Sequence, residues 1–258
     1  MVTIDLSGKH ALVMGVANHR SLSWAIADKL HQAGAELCLT YANERLKGMV
    51  EEVVAGRPRV TLLECDVTQN AHIDAVAKRL AADWGSIEML VHGMAFARRE
   101  DLEGMFVATS REGFQLAMEV SAYSLLNVMN RALPLLEKHG SSVVSLTYLA
   151  AERAVPGYNV MGSAKAVLEQ STRQLALELG PKNIRVNAIS AGPVSTLAAR
   201  GIRGFTEMLK KHAERAPLKR NITKEEVGNA GLFLLSEMAS GITGEVMMVD
   251  AGYSVVAW

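Results

Sequence analysis

Six residues separate a tyrosine from a lysine in Tyr158-Asn-Val-Met-Gly-Ser-Ala-Lys165, at the head of a helical pattern that runs to about Gly180. Seven positions make nearly two helical turns, which predicts both side chains on one face, roughly 10 Å apart along the axis. A phenol so placed can hydrogen-bond an oxygen that becomes an enolate while a neighbouring carbon is reduced. A buried ammonium beside it can hold the ribose hydroxyls of a nicotinamide nucleotide and polarise the phenol hydrogen bond. The same spacing also suits a tyrosine that caps a core and a lysine turned to solvent. Small neighbours (Gly162, Ser163, Ala164 and Ala166) suit close approach to another group.

A nucleotide needs a phosphate cradle, and the strand pattern Ala11–Gly15 runs straight into one possible cradle. In Gly15-Val-Ala-Asn-His-Arg-Ser21-Leu-Ser-Trp-Ala25-Ile-Ala27 the glycine permits a sharp exit, and the next helix turns its unpaired N–H groups and positive dipole end toward the loop. Ser23, Ala25 and Ala27 let that helix lie close to the sheet. The loop is not GxGxxG, so it reads equally as a plain strand–helix turn until its place, after the first strand of a βαβ series, is added. His19 reads as a solvated loop residue.

The second strand ends near Tyr41, where many NAD enzymes place an acid for the ribose. Here Tyr41-Ala42-Asn43-Glu44-Arg45 follows, with Glu44 opening the next helix, and Arg45 and Lys47 available either to a 2′-phosphate or to solvent. That leaves NADH and NADPH both open, with a lean to NADH. Asp66-Val67 follows the third strand, where a carboxylate could accept from the adenine amino group or cap the helix beginning near Gln69. Gly93-Met94-Ala95 follows the fourth, where small residues let a ribose lie against the backbone or simply pack tightly.

The elements that position these residues alternate. Short β-branched runs (Ala11–Gly15, Leu37–Tyr41, Val60–Cys65, Met89–His92, Ser142–Leu146, Arg185–Ile189 and Glu245–Val249) are separated by helical patterns such as Ser21–Ala33, Ala71–Trp84 and Glu112–Leu136. Several runs are apolar throughout, as in parallel strands covered on both faces. The order implies right-handed βαβ units and an α/β, Rossmann-type doubly wound parallel sheet with helices on both faces, in one domain spanning residues 1–258.

Bulk properties narrow the class. The chain has 258 residues, 49% of them hydrophobic, and 27 basic residues balance 27 acidic ones. No global field draws it to nucleic acid or an anionic membrane. The start lacks the pattern of a secretory signal, and no apolar run approaches the roughly 20 residues that span a bilayer. Cys38 and Cys65 lie in separate apolar segments without metal-ligand spacing; they read as buried thiols of a cytoplasmic protein, and no metal site is expected.

Ser190–Ile222 interrupts the rhythm, with Gly192-Pro193 and the helical pattern Phe205–Arg215. An insertion this long after a strand suits a lid, here about 195–220. Gly201 and Gly204 would serve as hinges, and Leu197, Ile202, Phe205 and Met208 would face an acyl chain or pack among themselves. Arg200, Arg203, Lys210, Lys211, Arg215, Lys219 and Arg220 outnumber Glu207 and Glu214, giving either a basic face for an acidic partner or a solvated helix.

The Gly15-x5-Ser21 loop, the Tyr148…Tyr158-x6-Lys165 set, Arg185-Val-Asn-Ala-Ile-Ser-Ala-Gly-Pro193 and Gly241-Ile-Thr-Gly-Glu-Val…Asp250 together resemble the short-chain dehydrogenase/reductases. Over essentially the whole length, the chain is similar to their divergent branch, the bacterial enoyl-[acyl-carrier-protein] reductases. The resemblance implies NAD(P)H-dependent reduction of the trans-2 double bond of enoyl-[acyl-carrier-protein] in type II fatty acid synthesis, by a homotetramer whose partner is acyl carrier protein. It implies that Tyr158 hydrogen-bonds the thioester carbonyl, Lys165 binds the ribose and Tyr148 lines the substrate pocket, with Ala97 on the substrate side. Gly15, Ser21, Leu22, Asp66, Val67 and Met94 fall where the family binds the dinucleotide. Val194 and Thr196 fall where it holds the carboxamide and pyrophosphate. Ala42 replaces a glutamine of some relatives, and Ser195 stands where an arginine is common. Carbonyl-reducing relatives keep the tyrosine four residues before the lysine, where this chain has Met161. A 3-oxoacyl reductase, the alternative enzyme, would want a phenol there. A regulatory nucleotide-binding protein would need neither Tyr158 nor Lys165.

Overall fold

The computed structural model describes residues 3–196 and 204–257. Seven strands, β1 (His10–Met14), β2 (Glu36–Tyr41), β3 (Val60–Glu64), β4 (Met89–His92), β5 (Ser141–Thr147), β6 (Ile184–Ala191) and β7 (Val246–Val249), form one sheet in the order β3-β2-β1-β4-β5-β6-β7. Every ladder is parallel, with Val13 opposite Leu39 on one side and Val91 on the other. The expected Rossmann-type doubly wound sheet is therefore observed, with each strand within two residues of its sequence bounds.

Helices cover both faces because the central strands are apolar on both. One layer holds α1 (Leu22–Gln32), α2 (Glu44–Val54) and α9 (Lys224–Leu235), which bury Trp24, Ile26, Leu30, Val50, Val227 and Leu234. The other holds α3 (Asn70–Asp83), α6 (Ser124–Leu136) and α7 (Val160–Leu179), burying Ile73, Leu80, Val128, Leu136 and Leu168. Short α4 (Arg99–Leu102) and α5 (Arg111–Met118) follow β4 and pack against α7, and α8 (Phe205–Arg215) follows β6. A Thr223–Glu226 capping box starts α9.

Two expectations are corrected. Glu112–Leu136 is not one regular helix: α5 and α6 are joined by a π turn over Glu119–Tyr123, which admits one residue more than the α period. The Tyr158 helix begins only at Val160. Tyr158 lies in a turn where Gly157 has φ 75° and Asn159 φ 39°, so it does not share a helix face with Lys165. The Asn159 amide nitrogen donates to the carbonyls of Leu102 (3.1 Å) and Gly104 (3.3 Å), pinning that turn to the end of α4.

The strand order reverses between β1 and β4, and a crevice opens beyond their carboxyl ends. At its floor the backbones touch. Gly15 has φ 86°, and a Cβ there would lie 2.3 Å from the Gly93 carbonyl oxygen. Gly15→Ala is expected to destabilise the fold by at least about 2 kcal/mol, read as a lower denaturant midpoint, because neither backbone can yield without tearing its ladder. An unchanged midpoint would contradict this close approach.

Candidate active site

Three buried polar residues of α7, Lys165, Glu169 and Thr172, face the end of β5. The Lys165 ammonium donates to the Leu146 carbonyl at 2.7 Å, the Thr147 hydroxyl donates to Glu169 Oε1 at 2.8 Å, and the Ser145 and Thr172 hydroxyls are 3.3 Å apart. Burial lowers Lys165 to about 8, against the pull of Glu169. Burial also raises the Glu169 carboxyl, opposed by its bond from Thr147. On β4, buried His92 bonds Ser124 at 2.8 Å through Nε2, and burial, with Lys165 nearby, lowers it to about 3. It stands neutral beside the ammonium.

Above this layer Tyr148 and Tyr158 meet, their ring centroids 4.9 Å apart and their planes tilted by 55°. Burial raises both phenols, Tyr148 to about 12, so each remains an O–H donor through the neutral range. The Tyr148 hydroxyl also lies 3.5 Å from Met208 Sδ on α8. The two rings border a cavity of about 350 Å³ whose walls include Leu22, Ala97, Val194 and Thr196, all singled out from the sequence. Phe205 and Met208 also line it. Leu197, Arg200, Gly201, Ile202 and Arg203 lie outside the described residues.

The remaining sequence candidates follow the carboxyl ends of β1, β3 and β4. Ser21 holds the N-cap position of α1 but makes no side-chain bond to the helix; its Oγ accepts from the Ala17 and Asn18 amides at 3.0 and 3.1 Å. The leading amides of α1 are thus left for an anion, beside the Gly15–Gly93 contact. Val67 and Met94 pack in the other layer, with α3, α6 and α7. Asp66 is not the N-cap of α3: Gln69 holds that place, while Asp66 Oδ1 accepts from the Thr68 amide and hydroxyl, at 3.0 and 2.8 Å. Lys47 pairs with Glu44 at 3.4 Å. A tight glycine floor, an uncapped helix start and a buried ammonium with one acceptor among the described residues fit a dinucleotide.

Sequence reasoning missed the π turn's Ser121. Fully buried, its Oγ accepts from the Phe96 amide (3.0 Å), lies 3.2 Å from the Phe96 carbonyl, and sits 3.6 Å from Met161 Sδ. It sets the loop carrying Ala95–Ala97 over the cavity. Ser121→Ala is expected to raise KM for an acyl substrate severalfold, at about 1–2 kcal/mol, while NADH affinity holds; an unaltered KM would refute this role. The basic segment is partly neutralised: Lys211 pairs with Glu207 (3.6 Å), Lys210 with Glu214 (4.0 Å), and Arg220 with Glu226 (2.6 Å).

The sequence profile of the enoyl-(acyl carrier protein) reductases matches residues 15–254. The chain belongs to that family. The enoyl-[acyl-carrier-protein] reductase [NADH] FabI of Bacillus subtilis is 47% identical over 258 residues, covering 99% of this chain and 100% of that one. Enoyl-[acyl-carrier-protein] reductase [NADH] 1 of Rhizobium meliloti is 48% identical, covering 97% and 92%. Among solved structures, the Bacillus cereus enoyl-acyl carrier protein reductase with NADP+ and indole naphthyridinone superposes with a TM-score of 0.95 at 47% identity, covering 100% of both chains. The Anaplasma phagocytophilum enzyme in complex with NAD gives 0.94 at 42%, covering 100% and 98%. Met161, at the position where a carbonyl reductase would want its phenol, is 5% exposed, packs with Ala117 and Val160 and lines the cavity. No helix among the described residues is long and apolar enough to cross a membrane.

Proposed function

We propose that this chain reduces the trans-2 double bond of enoyl groups carried on acyl carrier protein, in type II fatty acid synthesis, with NADH as reductant. The observation that carries this reading is the pair of neutral phenols bordering an apolar cavity at the end of β5, the strand whose Leu146 carbonyl accepts from the buried Lys165 ammonium. When bound, NADH supplies a hydride to the β-carbon. Tyr158 donates a hydrogen bond to the thioester oxygen and stabilises the enolate that forms, which is then protonated at the α-carbon. Lys165 holds the ribose hydroxyls with the donors that Leu146 leaves over. Tyr148 and Ala97 border the acyl group.

Gly15, Ser21, Leu22, Asp66, Val67, Met94, Val194 and Thr196 hold the dinucleotide along the crevice. Residues about 195–220 act as a lid within one domain, and the cationic residues of α8 and its flanks meet the acidic carrier. The enzyme works in the cytoplasm as a homotetramer.

The test follows the near-ultraviolet absorbance of NADH with two thioesters. Consumption is expected with crotonyl or a longer enoyl substrate. Turnover of a 3-oxoacyl thioester with none of the enoyl one would reverse the reading. The same assay with NADPH is expected to run more slowly.

A further inference from the structure

We propose that Glu169 is a positioning residue for this reaction, clamping the strand end that carries Tyr148 through Thr147 and holding Lys165 as a charged donor. The inference rests on Lys165 as the ribose ligand and extends that reading to a residue that touches neither substrate nor cofactor. Lys165, Glu169 and Thr172 recur at intervals of four and three, so they form one stripe along α7. That stripe faces inward, with exposures of 4%, 3% and 0%. Each member meets a different one of three consecutive β5 residues, Leu146, Thr147 and Ser145 respectively, at 2.7, 2.8 and 3.3 Å. The next residue of the chain after Thr147 is Tyr148, so the Glu169–Thr147 bond fixes the point from which that phenol departs.

A buried carboxylate is costly where packing alone is needed, and an aliphatic side chain would serve there better. Its charge is accounted for by its neighbours. Lys165 lies one turn before it, and Arg173 one turn after, at 3.7 Å. Glu152, from the turn beyond β5, also faces it and opposes its ionisation. From β4 the facing group is His92, which is neutral, and above stand the neutral phenols. Glu169 is thus an anion paired with Arg173 and one turn from the Lys165 ammonium on the same helix face, which it favours in the charged form, and Thr147 holds that anion in place.

Two substitutions separate the functions. Glu169→Gln keeps an oxygen to accept from Thr147 and removes the charge. NADH affinity, followed by its fluorescence on the whole protein, is expected to fall about fivefold at pH about 8 and to return toward the parent near pH 6, the alkaline limb having moved down by about one unit. Glu169→Asp is expected to restore much of that limb. Thr147→Val keeps the charge and removes the bond; KM for the enoyl thioester is expected to rise severalfold more than the dissociation constant of NADH. An NADH affinity for Glu169→Gln equal to the parent at every pH would overturn the proposal, as would a loss equal at every pH. If Glu169→Gln fails to fold, an unmoved enoyl KM in Thr147→Val overturns the clamp by itself. Lys165→Met is the control. If it binds NADH like the parent, the reading of Lys165 fails; if it loses NADH while Glu169→Gln does not, only Glu169 is misassigned.

Discussion

Tyr158→Phe is expected to lower kcat/KM for an enoyl thioester about 10²-fold, with most of the loss in kcat. The ring remains, so packing against Tyr148 at 4.9 Å is preserved and only the hydroxyl is removed. That hydroxyl is needed most when charge gathers on the thioester oxygen, and removing one such donor from a dry site typically costs 10²–10³-fold. Since burial raises the phenol above its ordinary range, no loss of Tyr158 activity through ionisation is expected below pH about 10. NADH affinity should hold. A variant with parental kcat would remove Tyr158 from the chemistry.

Lys165→Met should weaken NADH binding by about 10²-fold, the scale of a lost charged hydrogen bond of about 1.5–3 kcal/mol. Methionine keeps the length of the stem and leaves Glu169 without its neighbour. The pH behaviour is more diagnostic than the loss. Burial lowers Lys165 from 10.5 to about 8. Below pH about 8 the ammonium is charged in folded and unfolded chains alike, and the folded state bears the cost of burying it. Between about 8 and 10.5 the folded protein has released a proton that the unfolded chain retains, so stability from this group rises with pH. Cofactor affinity runs the other way, since the donor is lost over the same interval. The parent's melting temperature should therefore gain on that of Lys165→Met from pH about 8 upward, while its advantage in NADH affinity shrinks. Parallel curves in either measurement would contradict a titrating Lys165.

The sheet was legible because a parallel strand covered on both faces must be apolar throughout, as Leu37–Leu39 and Met89–Val91 are. The cofactor loops were legible because they follow strand ends in a fixed order. Tyr158 was misplaced into α7 because its spacing to Lys165 suits a helix, yet Pro156-Gly157 before it is a turn signal, and Asn159 takes φ 39°. The π turn left no trace in periodicity, since apolar residues continue on both sides of Glu119–Tyr123. Glu169 and Ser121 were passed over for a different reason. In a helical pattern a lone glutamate or serine reads as solvent-facing, and only tertiary packing puts Glu169 at 3% exposure and Ser121 at 0%. Asp66 illustrates a local ambiguity: the residue after a strand can serve a turn or a helix, and the hydrogen bonds to Thr68 decide for the turn.

The widened turn at Glu119–Tyr123 also bears on how this lineage can change in length. Removing one of those five residues would let the backbone close into an ordinary α repeat, a comfortable outcome for the chain taken alone. It would also rotate everything on one side by about 100° relative to the other. The hydroxyl that Ser121 offers to Phe96 would swing off the loop over the cavity, and α5 and α6 could not both keep their seats. A deletion that is harmless to the helix would be ruinous to the pocket, so single-residue losses should be tolerated in the exposed tip around Met105–Val107 and purged here.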